Sequence, residues 1–190
     1  MLWIGAGIGA MSLGTGLVWL IAPRWRRRAA EADGRAARVV RSRRRAGGLT
    51  TIIVDKGLDV PLSIPEAFAV WGRLDNLPRF VPHVRAVREV AVDRHRWELG
   101  RPGEPSIELD TRITRFGSLR VVAWETMPGS VVKHTGSIRL RPGAAAAGRV
   151  RVALRLSYVL PPSPFGDQVA ALVQADGIDD ALRGWKASLE

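Results

Sequence analysis

The sequence predicts an α+β protein in which a curved antiparallel sheet of about seven strands packs against a long C-terminal helix, preceded by one transmembrane helix. Three observations lead to this prediction. Residues 1–22 carry no charged side chain. After Thr51 apolar and polar residues alternate with the period of two that half-buried strands show. From Phe165 to Leu189 the apolar spacing becomes helical, so the chain ends in a helix that can cover the sheet.

Residues 1–23 are predicted to span a membrane. A helix over the uncharged stretch would be roughly 33 Å long, which matches a hydrocarbon core of about 30 Å. Trp3 and Trp19 lie near its two ends, where aromatic side chains favour the interface. Small residues recur four apart, as at Gly5 and Gly9. Such spacing allows two helices to pack closely, so a homodimer through this helix is a further expectation.

Residues 24–48 form an arginine-rich neck. Ten arginines between Arg24 and Arg45 face two acidic residues, a net charge of +8, whereas residues 46–190 carry only +3. Because the basic cluster follows the span, the positive-inside rule predicts a single-pass plasma-membrane protein with its N-terminus outside and its C-terminal domain in the cytoplasm. The alanine and arginine of residues 29–46 suit a helix on anionic lipid headgroups. The residues expected at the membrane surface are Arg24, Arg26, Arg27 and Arg28.

Two alternatives for this N-terminal region are less well supported. A cleaved signal peptide has positive charge before its apolar stretch, whereas here the charge comes after it. The cleavage-like triplet at residues 30–32 lies beyond four arginines. A nucleic-acid-binding tail is expected beside a recognition module, and none follows the neck, which contains one aromatic residue, Trp25. We therefore expect an uncleaved anchor and no nucleic-acid partner.

Residues 49–190 are predicted to form one domain. A first strand ends at Pro61, Ser63 is placed to cap a short helix, and residues 75–78 begin a second helical turn. Strands follow, of which residues 149–158 alternate most regularly, and regular alternation indicates an antiparallel sheet with one wet face. A proline-rich segment at 161–164 ends the strands, and the last helix is expected to break near Gly177.

Several segments of this domain match a known family in order and spacing. They are residues 60–68, 71–80, 84–87, Trp97, 122–126, 129–130, 136–140 and 182–190. In these the chain resembles the START and Bet v 1-like (SRPBCC) superfamily with its helix-grip fold, in particular the bacterial polyketide cyclase/dehydrase and coenzyme-Q-binding branch. The resemblance implies a hydrophobic cavity that holds a lipid, an isoprenoid quinone, a polyketide or a similar small molecule. No cofactor is expected.

The expected cavity lining combines aromatic side chains with inward-facing residues of the strands and the last helix. Four of the aromatic candidates are equally expected in a packed core: Trp71, Phe80, Trp97 and Trp124. Val169, Leu172 and Val173 share one face of the C-terminal helix. The full set is Phe68, Trp71, Phe80, Trp97, Trp124, His134, Leu156, Tyr158, Val169, Leu172 and Val173.

Signs of catalysis are weak. The absence of cysteine excludes disulfides, cysteine zinc sites and thiol catalysis, and no spacing of histidines and carboxylates indicates a metal site. The weak catalytic candidates are His134, Tyr158 and Glu125, of which His134 is also expected as a bonded core histidine. The favoured function is a noncatalytic binder or carrier of a hydrophobic ligand. The alternatives are a polyketide-type cyclase/dehydrase and a structural membrane-associated partner with a filled core.

Overall fold

The structure is a computed structural model that describes residues 39–44, 47–143, 148–174 and 177–190. Within these residues no helix has the length and apolar character needed to cross a bilayer. The predicted transmembrane helix, residues 1–23, and the membrane-surface arginines lie outside the described residues. The strands are β1 (Val39–Arg44), β2 (Thr50–Val60), β3 (Val84–Ala91), β4 (Arg94–Leu99), β5 (Ile107–Gly117), β6 (Val121–Thr126), β7 (Lys133–Pro142) and β8 (Val150–Leu160). The helices are α1 (Ile64–Trp71), a 3-10 helix (Leu74–Arg79), α2 (Pro164–Gln174) and α3 (Ile178–Ala187).

One antiparallel sheet contains all the strands. Its order is β1-β2-β8-β7-β6-β5-β4-β3, so strands β3 to β8 follow one another as neighbours and β8 returns beside β2. Helix α2 packs on β2 and β8, and helix α3 packs on β2. The seven strands β2 to β8 and the C-terminal helices confirm the predicted helix-grip arrangement.

Alternation along β2 and β8 separates a buried inner face from a charged outer face. Val54 and Leu156 are buried neighbours on the inner face, where apolar side chains leave water at about 25 cal/mol per Å². On the outer face Asp55 pairs with Arg155 at 3.0 Å, an exposed ion pair that contributes little to stability. The sheet therefore gains its stability from the inner face, which is also where a ligand would lie.

Helix α1 begins as the sequence predicts. The Ser63 side chain accepts a hydrogen bond from the Glu66 amide, and the Glu66 carboxylate accepts one from the Ser63 amide at 2.8 Å, which completes a capping box. The 3-10 helix follows after two residues, and the Asn76 side chain donates to the Val70 carbonyl at 2.8 Å. This contact fixes the bend between the two helices.

Two features of the sheet and helices bear on the predicted boundaries. Residues Val39–Arg44 form a strand paired with β2, so the helix expected across residues 29–46 is wrong there, and the sheet begins inside the segment interpreted as the neck. The open edge of β2 offers a row of unpaired backbone N–H and C=O groups, with which this segment pairs. The break predicted near Gly177 is confirmed, since α2 ends at Gln174 and α3 begins at Ile178.

Candidate functional site

A row of aromatic side chains crosses the inner face of the sheet. The Trp97 and Trp124 rings stack with their centroids 5.3 Å apart, and the His134 and Tyr158 rings stack at 4.4 Å. All four are at most 1% exposed. Gly136 makes room for the row, because a Cβ there would lie 2.1 Å from Cζ2 of Trp124. These four predicted site residues thus form one buried group.

His134 is hydrogen-bonded through both of its ring nitrogens. The Trp124 indole donates to Nε2 at 2.9 Å, so Nε2 is the accepting nitrogen and Nδ1 carries the proton. Nδ1–H lies 3.2 Å from the Ser157 carbonyl, to which it donates. Burial, with a smaller contribution from His83, lowers the pKa of His134 to about 3. The imidazole is therefore neutral at physiological pH.

Tyr158 meets a second histidine that the sequence analysis did not place in the site. The Tyr158 hydroxyl lies 2.9 Å from Nε2 of His83, which is 5% exposed. Burial raises the pKa of the Tyr158 phenol, so it stays protonated. The two residues are 75 positions apart in the chain, and the position of His83 just before a strand gave no sign of this contact.

Two of the other predicted aromatic residues, Trp71 and Phe80, belong to a second cluster, and Phe68 pairs with a different ring. Trp71 and Phe80 stack at 4.1 Å, and Trp185 from α3 lies edge-on to both, at 5.3 and 5.2 Å. Phe68 is half-buried and lies edge-on to Phe116 at 5.4 Å. The structure therefore divides the predicted aromatic lining among the buried row, the Trp71–Phe80–Trp185 cluster and the Phe68–Phe116 pair.

Glu125, the third catalytic candidate, lies on the outer face of the sheet. Its carboxylate accepts a 2.7 Å hydrogen bond from Arg112, and neighbouring Trp124 points inward. Side chains on successive strand residues project to opposite faces. The structure thus places Glu125 on the face opposite His134 and Tyr158.

A cleft of about 200 Å³ lies between α2 and the loop that joins β4 to β5. Leu172 and Ile107 supply apolar surface and Arg101, Glu104 and Gln168 supply polar surface. Of the remaining predicted helix residues, Val169 and Val173 are buried in the core beneath. The cleft is smaller than the roughly 300–1,000 Å³ of typical small-molecule sites. A larger ligand would therefore require α2 to move.

A buried ion pair connects the inner face of the sheet to α3. The Lys56 ammonium donates to the Asp179 carboxylate at 2.8 Å, and the Lys56 side chain is 1% exposed. Lys56 occupies an inward position of β2, between Val54 and Leu58. A charged residue at an apolar position of the alternation was therefore a signal in the sequence that the analysis missed.

The antiparallel sheet with the C-terminal helices laid on its inner face is the helix-grip fold, which START-type proteins share. The family model for polyketide cyclase / dehydrase and lipid transport matches residues 60–184. The chain belongs to this family, which confirms the resemblance found in the sequence. No curated protein matches the chain in sequence.

Solved structures share the fold at low identity. A protein of Deinococcus radiodurans is 23% identical with a TM-score of 0.57, over 72% of this chain and 95% of that one. A START superfamily protein of Mycobacterium smegmatis is 17% identical with a TM-score of 0.54, over 73% and 99%. The Zhui aromatase/cyclase of Streptomyces sp. R1128 is 17% identical with a TM-score of 0.52, over 72% and 94%. These likenesses show the fold alone.

Proposed function

We propose that this protein is a membrane-anchored, noncatalytic binder or carrier of a hydrophobic ligand such as a lipid or an isoprenoid quinone. The observation that carries the proposal is the state of the polar groups on the inner face. His134 has both ring nitrogens in hydrogen bonds within the protein, and Tyr158 is bonded to His83. The surrounding side chains are apolar and buried, which favours holding an apolar ligand.

Acid–base catalysis at this site would require groups with a different charge behaviour. A general acid or base works best with a pKa near the working pH. The pKa of His134 is lowered to about 3 and that of Tyr158 is raised, both by burial. Neither group therefore exchanges protons readily at neutral pH, which supports binding over chemistry.

Access to the interior is expected at the cleft beside α2. Leu172, 6% exposed, lines the cleft, and Val169 and Val173 lie on the same helix face in the core. Because α2 ends at Gln174 and α3 is held to β2 by the Lys56–Asp179 pair, α2 can move while α3 stays. An anchor at residues 1–23 and the basic neck would keep the domain at the inner face of the plasma membrane, which raises the effective concentration of a membrane ligand.

A polyketide-type cyclase or dehydrase is the second candidate. The hydrogen bond between the Tyr158 hydroxyl and His83 Nε2 favours it, since a phenol beside an imidazole can orient and protonate a carbonyl oxygen once a ligand displaces part of the packing. The family description covers both activities and lipid transport. Loss of turnover on a model polyketide in Tyr158→Phe, with ligand binding retained, would support this candidate.

Identification of the co-purifying ligand tests the proposal. Full-length protein, purified in detergent, is extracted with organic solvent and the extract is analysed by mass spectrometry. We expect an apolar compound that is lost in Leu172→Glu and retained in Gln174→Glu, a matched change at an exposed position of the same helix. Bound ligand in neither the native chain nor the control would favour a filled-core structural partner instead.

Membrane anchoring is tested separately. Membranes from expressing cells are washed with alkaline carbonate, which releases peripheral proteins and leaves integral ones in the pellet. The uncharged length of residues 1–22 predicts a full-length chain in the pellet. Full-length protein in the supernatant would contradict the anchor and leave the ligand-binding proposal standing.

A further inference from the structure

The hairpin that joins β5 to β6 exposes two large apolar side chains. Phe116 is 60% exposed and Leu119 is 48% exposed. The Phe116 and Phe68 rings lie edge to face with their centroids 5.4 Å apart, on the inner side of the sheet, because Phe116 pairs with the buried Val122. Paired apolar side chains at a hairpin tip differ from the scattered exposed residues that any surface carries.

The conformation of Leu119 makes its presence harder to explain by folding. Ser118 and Leu119 have φ of 54° and 52°, and the Arg120 amide donates to the Gly117 carbonyl at 3.1 Å. Such a two-residue turn favours asparagine, aspartate and glycine, because a bulky side chain is disfavoured at positive φ. Asp93, at φ 58° in the β3–β4 turn, follows that preference. Leu119 departs from it without a gain in packing.

Arginines surround this tip. Arg115 precedes it and Arg120 follows it, and Arg139 and Arg141 lie on the outer face of β7, with Arg139 opposite Val121. Other arginines of the outer face form ion pairs, as Arg112 does with Glu125 and Arg155 with Asp55. Within the described part of the chain no carboxylate forms an ion pair with Arg115, Arg120 or Arg141. Burial and the charges of Arg141 and Arg115 lower the pKa of Arg139, in keeping with this crowding.

We infer that this basic hairpin, defined as Arg115, Phe116, Leu119, Arg120 and Arg141, docks on an anionic lipid bilayer. Leu119 and Phe116 enter the interface, and the arginines bind the acidic headgroups. A nucleic acid or acidic protein would satisfy the charge but leave the Leu119 side chain without a role, so the bilayer accounts for more of the surface. The surface belongs to the folded domain and does not depend on the N-terminal anchor or on the proposed ligand.

Docking at this hairpin would orient the domain. Strand β5 has 11 residues between the hairpin and the loop beside α2, which at about 3.3 Å per residue places the two ends roughly 33 Å apart. The cleft end, including Ser106, would then point away from the membrane, and the domain would have to leave this docked orientation to take up a ligand from the bilayer at the cleft.

The test uses a fluorophore that brightens in an apolar environment. Because the chain has no cysteine, Ser118→Cys and Ser106→Cys each give a single labelling site in the full-length protein. Labelled protein is mixed with vesicles of phosphatidylcholine and phosphatidylserine, or of phosphatidylcholine alone. We expect the label at 118 to brighten only with the anionic vesicles and to be quenched by brominated lipid, and the label at 106 to remain unchanged.

Substitutions separate docking from folding. Leu119→Asn suits a positive φ, so the variant should fold at least as well as the native chain while the response at 118 is lost. Arg115→Gln and Arg141→Gln should each lower the affinity for anionic vesicles about five-fold. Arg183→Gln, at an exposed position of α3, should leave this affinity unchanged. An unchanged label at 118 with anionic vesicles, or an undiminished response in Leu119→Asn, overturns the inference. So does an equal response of the label to soluble RNA, which would assign the patch to polyanions.

Discussion

His134 should make the folded protein less stable as the pH falls from about 7.5 to about 5. Its pKa is lowered from 6.5 to about 3 in the folded protein. Below pH 6.5 the unfolded chain therefore binds a proton that the folded chain excludes. The stability contributed by neutral His134 is fully present above 6.5 and is lost as the pH falls towards about 3. The loss amounts to about 1.4 kcal/mol per pH unit, or about 2 kcal/mol between pH 7.5 and 5.

Urea unfolding at the two pH values, followed by far-UV circular dichroism, measures this effect. The comparison variant is His134→Phe, which cannot titrate and carries no hydrogen-bonding group. It should be less stable at both pH values, because the Trp124 indole and the Ser157 carbonyl lose their partner at about 1–3 kcal/mol each. Its stability should nevertheless fall about 2 kcal/mol less than that of the native protein over the pH interval. Equal pH dependence in the two proteins would show that His134 is not held neutral by burial.

Three further substitutions test the aromatic groups by thermal or urea unfolding. Trp97→Phe should lower the free energy of unfolding by about 0.5–1.5 kcal/mol more than Trp71→Phe does. The Trp97 indole donates to Thr111 at 2.9 Å, whereas the Trp71 indole has no hydrogen-bond partner among the described residues. Equal losses in the two variants would contradict this prediction. Trp185→Ala removes two edge-to-face contacts, with Trp71 and Phe80, and should cost about 1–3 kcal/mol for these contacts alone. A loss well below that range would mean that α3 is not held by this cluster.

Local patterns predicted the elements that local chemistry determines. The Ser63 cap, the inward residues of β8 and the end of the helix before Gly177 all follow from neighbouring residues. These features depend on hydrogen bonds within a few positions or on alternation along one strand. The order of such elements was then enough to identify the fold.

Contacts between distant parts of the chain could not be predicted in the same way. The alternation placed His134 and Tyr158 inward, but it could not show that His83 would meet Tyr158, since that depends on how the segment before β3 crosses the sheet. It also could not show that Trp71 and Trp185 would form a separate cluster. Whether the Glu125 side chain lies on the inner or the outer face of the sheet could be decided only once the register of β6 was known. Side-chain partners across a sheet require the register and the helix positions, which a single sequence does not supply.

The strand at Val39–Arg44 leads to the last prediction, which concerns where the domain begins. Removing residues 1–38 keeps β1, whereas removing residues 1–47 deletes it. In the chain that begins at residue 48, β2 becomes the edge of the sheet. Each β1–β2 hydrogen bond stabilises the folded chain by a net amount of about 0.5–1.5 kcal/mol. Ordering each residue of β1 costs about 1–2 kcal/mol of conformational entropy. The two nearly cancel, so both truncated chains should unfold cooperatively at similar urea concentrations.

Their association should differ, because an uncovered strand edge pairs readily with another copy. Size-exclusion chromatography with light scattering should show the chain from residue 39 as a monomer. The chain from residue 48 should form concentration-dependent dimers or larger species. Replacing Ile53, which faces Arg41 in the β1–β2 register, with lysine should restore the monomer, because a charge on an edge strand opposes pairing. A monomeric chain from residue 48 with greatly reduced stability would show instead that β1 acts through stability and not through protection of the edge.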